Sequence, residues 1–171
     1  MSQIVTEAWI PVPISKVFAF FSDPQNLPRL MPPQLHAKIE DMNLVVPHAS
    51  GVVQSGGDLA QTAGPGSLIT VSFRPVPFLS FRSLWVARIE EFEPGSHFRD
   101  TQQKGPMKSW SHTHQFISEL RSGVEGTLVR DIVDFQLPFG ILGRVADLLF
   151  VRALMKATFR ARQKALAKLL V

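Results

Sequence analysis

The chain has 171 residues, 45% apolar and 19% charged side chains and a net charge of +4, a balance that fits one globular domain over residues 1–171 and excludes a disordered or repeat-built chain. It contains no cysteine, which excludes disulfides, thiolate nucleophiles and sulfur-ligated metals. No segment offers the ~20 uncharged apolar residues that span a bilayer, and Met1–Glu7 lacks the basic start and apolar run of a secretion signal, so a cytoplasmic protein is expected.

In chain order, the β-branched, partly alternating segment Gln3–Ile10 predicts a strand, ended by Pro11 and Pro13. Ile14, Val17, Phe18 and Phe21 recur at helical spacing and predict a short helix with one apolar face. Asp23 is placed to cap a second short helix with Pro24 at its first position, and Pro28, Pro32 and Pro33 keep that helix brief. Leu35–Val46 predicts a strand. Pro47–Gly66, rich in Gly, Ser and Ala, reads as a long loop with a short strand at Gly51–Gln54, either a lid or a tolerated insertion.

Four strands are predicted next, at Ser67–Arg74, Phe81–Phe92, His97–Gln103 and Lys108–Leu120, and the turn Arg121–Gly126 leads into a fifth at Thr127–Leu137. Such short connections imply an antiparallel meander. After Pro138-Phe139-Gly140, residues Ile141–Leu170 predict one helix broken by no proline and by glycine only at Gly143, about 45 Å long at 1.5 Å per residue. Ala146, Leu149, Ala153, Leu154, Ala157, Ala161 and Ala165 fall along or near one face, which is expected to approach the sheet closely. The fold class is therefore α+β: a curved antiparallel sheet of about six to seven strands around a long C-terminal helix, with two short helices after the first strand.

Four stretches resemble a known superfamily. They are Pro13–Asp23 with Asn26-Leu27; Gly105-Pro106-Met107 leading to Trp110 and His112–Phe116; Gly126-Thr127 with Asp131; and Pro138-Phe139-Gly140. Together they resemble the START-like, birch-pollen-allergen-like (SRPBCC) superfamily, and within it the polyketide cyclase/dehydrase and coenzyme Q-binding-protein group. The resemblance implies a helix-grip fold and an internal cavity for a hydrophobic small molecule, whether lipid, quinone, isoprenoid or polyketide-like. It also leaves two alternatives: a cyclase or aromatase using a cavity histidine as general base, and a protein-interaction domain with a vestigial cavity. One fold hosts carriers, enzymes and receptors alike, so the site must decide between them.

Period-two alternation puts Trp110, His112, His114 and Phe116 on one face of their strand, and Ser109, Ser111, Thr113 and Gln115 on the other. The aromatic set is expected inward, so two histidines should project into the cavity. By the same rule Phe98, Asp100 and Gln102 share a face, as do Trp85, Ala87 and Ile89, and as do Val129, Asp131, Val133 and Phe135. The expected catalytic or orienting group is His112, His114 and Asp131, joined by Asp100. It could orient a carbonyl or hydroxyl, or a histidine could take a proton from an acidic C–H; equally, each histidine could only satisfy a neighbouring buried carboxylate. The expected ligand-binding set is Trp85, Phe98, Asp100, Gln102, Trp110, Phe116, Val133, Leu154 and Met155. The chain has no tyrosine to act as a phenolic acid.

No metal site and no cofactor are expected. His-x-His offers two ligands, but no further histidine is placed to join them, since His36, His48 and His97 lie in other segments. No phosphate-cradling glycine loop and no Gly-x-Ser-x-Gly elbow is present. Residues 1–85 balance five basic against five acidic side chains, so the positive excess lies in the second half. Arg152, Lys156, Arg160, Lys164 and Lys168 fall four apart on the last helix, with Arg144 and Arg162 near them. This stripe is a solvated face, or a docking face for an anionic membrane or an acidic protein. Nucleic acid is not an expected partner, because no aromatic platform accompanies the charges.

Overall fold

The computed structural model describes residues 1–47, 62–75 and 80–171. The expected short strand at 51–54 and most of the 47–66 loop lie outside these residues. Seven strands, β1 (Ser2–Ile10), β2 (Lys38–Asn43), β3 (Leu68–Phe73), β4 (Ser83–Glu93), β5 (His97–Lys104), β6 (Ser109–Arg121) and β7 (Val124–Gln136), form one antiparallel sheet. Their order is β1-β7-β6-β5-β4-β3-β2. Strands β2 to β7 run as a meander, and β1 closes on β7.

The chain crosses from the β1 edge to the β2 edge through α1 (Ile14–Ser22) and α2 (Leu27–Leu30). Asp23 accepts the backbone N–H of Gln25 at 2.9 Å and caps a tight turn at Pro24–Asn26 that runs directly into α2. Phe18 of α1 packs edge-on against Phe92, Phe98 and Phe116, so this crossover plugs one end of the sheet's concave face.

Two strands differ from the sequence reading by three residues at an end, and the others by no more than two. β2 starts at Lys38 because Pro33–Leu35 make a tight helical turn and His36 takes a left-handed φ of 44°. β7 begins at Val124 because Ser122 and Gly123 both adopt positive φ, which makes a two-residue hairpin and lets pairing run up to Arg121↔Val124. Register shifts at Ile39/Asp41, Val86/Ala87 and Ile89/Glu91 leave one extra residue in β2, β5 and β4 respectively and bend those strands locally.

The C-terminal helix forms as expected but is not uniform. α3 (Gly140–Ala146) passes through a π-helical turn at Asp147–Val151 into α4 (Arg152–Leu170). Buried Asp147 accepts from the Ser2 hydroxyl and from Arg152 at 3.1 Å, which pins this turn to the start of β1. The wider turn rotates the helix beyond it. The alanine face is therefore not the one against the sheet. Leu149, Ala153, Leu154 and Ala157 are exposed, while Phe159, Arg162 and Leu166 are buried. Phe159 joins Ile4, Val133 and Phe135 in one apolar cluster, and Leu166 joins a second with Ile10, Phe116 and Val129. Large side chains hold the helix off the strands, and the space left beside them becomes a cavity.

Among the described residues, no helix is long and apolar enough to cross a membrane.

Candidate functional site: a polar wall in an apolar cavity

A cavity of about 770 Å³ lies between the sheet, α1–α2 and the C-terminal helix. Most of its wall is apolar: Phe20, Phe21 and Leu30 from the crossover, Trp85 and Ile89 from β4, and Met155 and Phe159 from α4. Its polar wall comes from two adjacent strands and one helix, backed by a third strand. Asp100 stands directly opposite His112 in the β5–β6 ladder, and His114 stands directly opposite Asp131 in the β6–β7 ladder. Register alone thus brings four titratable side chains onto one concave face.

Asp131 is the foundation of this group, with 3% of its surface exposed. Its Oδ1 accepts from His112 Nε2 at 3.0 Å. The same oxygen lies 2.8 Å from His114 Nδ1, but off the direction of a ring N–H, so this is a charge–dipole contact and not an aligned hydrogen bond. The opposite ring atoms look toward Asp100: His112 Nδ1 is 3.6 Å and His114 Nε2 is 3.8 Å from its Oδ2. The two imidazoles lie 3.9 Å apart between ring centroids, and Phe159 closes edge-on over His112.

Burial sets the protonation of this cluster. It pushes Asp100 above the usual carboxylate range, opposed by His112 and Arg162. It also pulls His114 down to about 3, helped by the neighbouring His112, so His114 is neutral near pH 7. Burial likewise works against the Asp131 carboxylate, but the bonds and charges of His112 and His114 outweigh it and hold Asp131 well below its ordinary value. A histidine with so low a pKa is a feeble proton acceptor, because a useful base titrates near the working pH.

The structure sorts the predicted residues. His112, His114, Asp100, Trp85, Phe98, Trp110, Leu154 and Met155 line the cavity. Asp131 lies beneath the histidines, behind the wall. Gln102 does not line it: its amide donates to the Met107 carbonyl at 2.8 Å and its oxygen accepts the Met107 N–H at 3.2 Å, clamping the β5–β6 connection. Phe116 and Val133 are inward but consumed by packing, Phe116 against Phe18 and Phe21, and Val133 in the cluster with Phe159.

Arg162 was counted with the outer cations and belongs inside. It is buried, lines the cavity and places its guanidinium carbon 5.0 Å from the Phe159 ring centroid. Its spacing was the available signal: Met155, Phe159, Arg162 and Leu166 follow the 4-3-4 rhythm of an inward stripe. Arg152 is not a free surface cation either, since it is bound to Ser2 at 2.9 Å and to Asp147. Lys156, Arg160, Lys164 and Lys168 are exposed as expected.

The family model for "Polyketide cyclase / dehydrase and lipid transport" matches residues 10–164. The chain belongs to this family. No curated protein is a significant match in sequence. Among solved structures, this polyketide cyclase/dehydrase and lipid transport family member is similar to a START superfamily protein from Mycobacterium smegmatis, with a TM-score of 0.65, 10% identity, and coverage of 98% of this chain and 96% of that one. It is similar to Ara h 8.0201, with a TM-score of 0.57, 17% identity and coverage of 99% and 97%. It is also similar to norcoclaurine synthase from Thalictrum flavum, solved with dopamine and hydroxybenzaldehyde, with a TM-score of 0.57, 13% identity and coverage of 98% and 87%. At these identities the likeness establishes the helix-grip fold that the family member shares with them.

Proposed function

We propose that this protein binds and carries a hydrophobic small molecule, such as a lipid, quinone, isoprenoid or polyketide-like ring system, inside the cavity. The single observation that carries this reading is the cavity itself: about 770 Å³ with a mainly apolar wall and polar groups gathered on one side. Sites of that size and character suit organic ligands. Burial of apolar ligand surface supplies about 25 cal/mol per Å², while Asp100, His112, His114 and Arg162 orient whatever oxygen the ligand carries. The family description, which names lipid transport, points the same way.

The rim of the cavity supports a finer reading. Leu142 and Phe139 belong to the lining, yet both are strongly exposed. They begin an apolar surface that continues through Ile141, Leu148, Leu149 and Phe150, with Arg144 among them. Apolar side chains beside cations, next to a cavity mouth, suit docking on an anionic membrane from which an apolar ligand is loaded. An acidic protein partner would not call for so much bare apolar surface.

A cyclase reading draws on one observation, the His112–Asp131 hydrogen bond, which holds an imidazole with its other nitrogen facing the cavity side. In that reading His112, not His114, is the base.

The test is retention of ligand by untagged protein from its own host, followed by native mass spectrometry. Ala87 lines the cavity from β4, and Ala87→Phe fills space there. The expected result is a co-purifying hydrophobic molecule in the parent that is lost from a folded Ala87→Phe variant. No bound molecule, together with no saturable uptake of an apolar fluorophore, would overturn the carrier reading. Turnover abolished by His112→Gln would replace it with the enzyme.

A further inference from the structure

We propose that Asp100, His112 and His114 form a binding site for a divalent transition-metal ion of the zinc and ferrous class on the cavity wall. The inference does not rest on the carrier reading, because it concerns three side chains and no organic ligand.

The first argument is convergence. Asp100 Oδ2, His112 Nδ1 and His114 Nε2 lie within 4.8 Å of one another. The two nitrogen–oxygen separations are 3.6 and 3.8 Å. Those distances are too long for hydrogen bonds. They are close to the separation of ligand atoms that share one ion: bonds of about 2.0–2.2 Å in a tetrahedron leave ligand atoms roughly 3.3–3.5 Å apart. A movement of a few tenths of an ångström brings each histidine nitrogen to that separation from Asp100, and the two histidine nitrogens already lie within 4.8 Å of each other.

The second argument is the state of the ring nitrogens. Both histidines turn their other nitrogen to Asp131 Oδ1, at 3.0 Å from His112 Nε2 and 2.8 Å from His114 Nδ1. An unprotonated nitrogen that near a carboxylate oxygen would be repelled, so each of these atoms carries the proton. In neutral rings that leaves bare lone pairs on His112 Nδ1 and His114 Nε2, both aimed at a third acceptor, Asp100. Such a cluster is satisfied either by a proton on Asp100, which its burial favours, or by a metal cation held between the three groups. Among the described residues, no lysine or arginine comes within 4 Å of Asp100 to supply a positive charge instead.

The third argument is the outer support. A metal-bound histidine ordinarily donates its remaining N–H to a carboxylate, which fixes the tautomer and raises the ring's donor strength. Asp131, buried behind both rings, stands in that place for His112, and its Oδ1 also lies 2.8 Å from His114 Nδ1 without an aligned hydrogen bond. The site also lines the cavity, which leaves room for further ligands on the ion. Two imidazoles and one carboxylate with open positions suit zinc or ferrous iron and not calcium or magnesium, which prefer all-oxygen shells. Arg162, near the same wall, leaves the loaded site with surplus positive charge, so an oxygen-bearing or anionic ligand would complete it.

The probe is Co²⁺ added to untagged, EDTA-stripped protein and followed by its visible d–d absorption, with Zn²⁺ as competitor and Mg²⁺ as control. One Co²⁺ per chain is expected, displaced by Zn²⁺ and not by Mg²⁺. Asp100→Asn, nearly isosteric, should weaken binding at least about 100-fold, and Asp131→Asn by about 10- to 100-fold. The histidine His97, outside the cluster, serves as a check, and His97→Gln should change nothing. Circular dichroism confirms that each variant is folded. Absence of a Co²⁺ spectrum in the parent protein, or equal affinity in folded Asp100→Asn, would overturn the proposal, and the three groups would then share only protons. Either result leaves ligand retention in the cavity to be judged separately.

Discussion

The buried carboxylate of Asp131 can be tested by what happens when its partners are removed. His112 and His114 supply the two imidazole nitrogens near its Oδ1. Replacing both with leucine fills the space with apolar atoms and leaves a charge, 3% exposed, without a donor from β6. Stranding a buried charge in this way costs about 3–5 kcal/mol. The carboxyl can escape part of that by taking up a proton, so a loss near ~3 kcal/mol is expected, a large share of a typical total of ~5–15 kcal/mol. In urea unfolding followed by tryptophan fluorescence, with EDTA present, the midpoint should fall by roughly 1–2 M. Adding Asp131→Val to the same pair should recover most of the loss, because an all-apolar replacement strands nothing. A double variant within ~1 kcal/mol of the parent, or a triple variant no more stable than the double, would refute the view that Asp131 is a charge held by two histidines.

Two further outcomes follow from the geometry around the C-terminal helix. A Cβ on Gly143 would sit 2.0 Å from the Pro138 carbonyl oxygen, so Gly143→Ala must shift backbone; it should cost about 1–3 kcal/mol and lower the melting temperature by roughly 3–10 °C, and an unchanged melting temperature would contradict the close approach. Phe139, Leu148 and Phe150 are 82%, 73% and 70% exposed, so their joint replacement by serine should leave stability intact while reducing co-sedimentation with phosphatidylglycerol vesicles; equal sedimentation would dismiss this face as a membrane-docking surface.

The contrast between His114 and Arg162 shows where sequence reasoning succeeds. Strand alternation is local: once a segment is extended, every second side chain shares a face. Trp110, His112, His114 and Phe116 could therefore be assigned inward from β6 alone, as could Asp131 from β7. Phe116 and Gln102 were on the correct faces too, yet neither reaches the cavity. One is packed edge-on against Phe18 and the other folds back on Met107, and both outcomes depend on neighbours outside their own strand.

Arg162 needed information of a different kind. A helix has no fixed inside until its rotation against the sheet is known. Here that rotation is set by the π-helical turn at Asp147–Val151, its tether to Ser2, and the seat of Phe159 against Ile4, Val133 and Phe135. Arg162, counted beside an evenly spaced row of cations, therefore read as solvent-facing, while the observed rotation places it inward and leaves Ala153 and Ala157 exposed.

By itself, the order of residues determined the elements, their antiparallel succession and the inward faces of the strands, since hydrophobic period and turn chemistry act over a few neighbours. Tertiary structure alone decided that Asp100 meets His112, that Asp131 lies under both imidazoles, and that a buried arginine shares their cavity. Those relations depend on register and helix rotation, which arise only when separate segments compete for the same space.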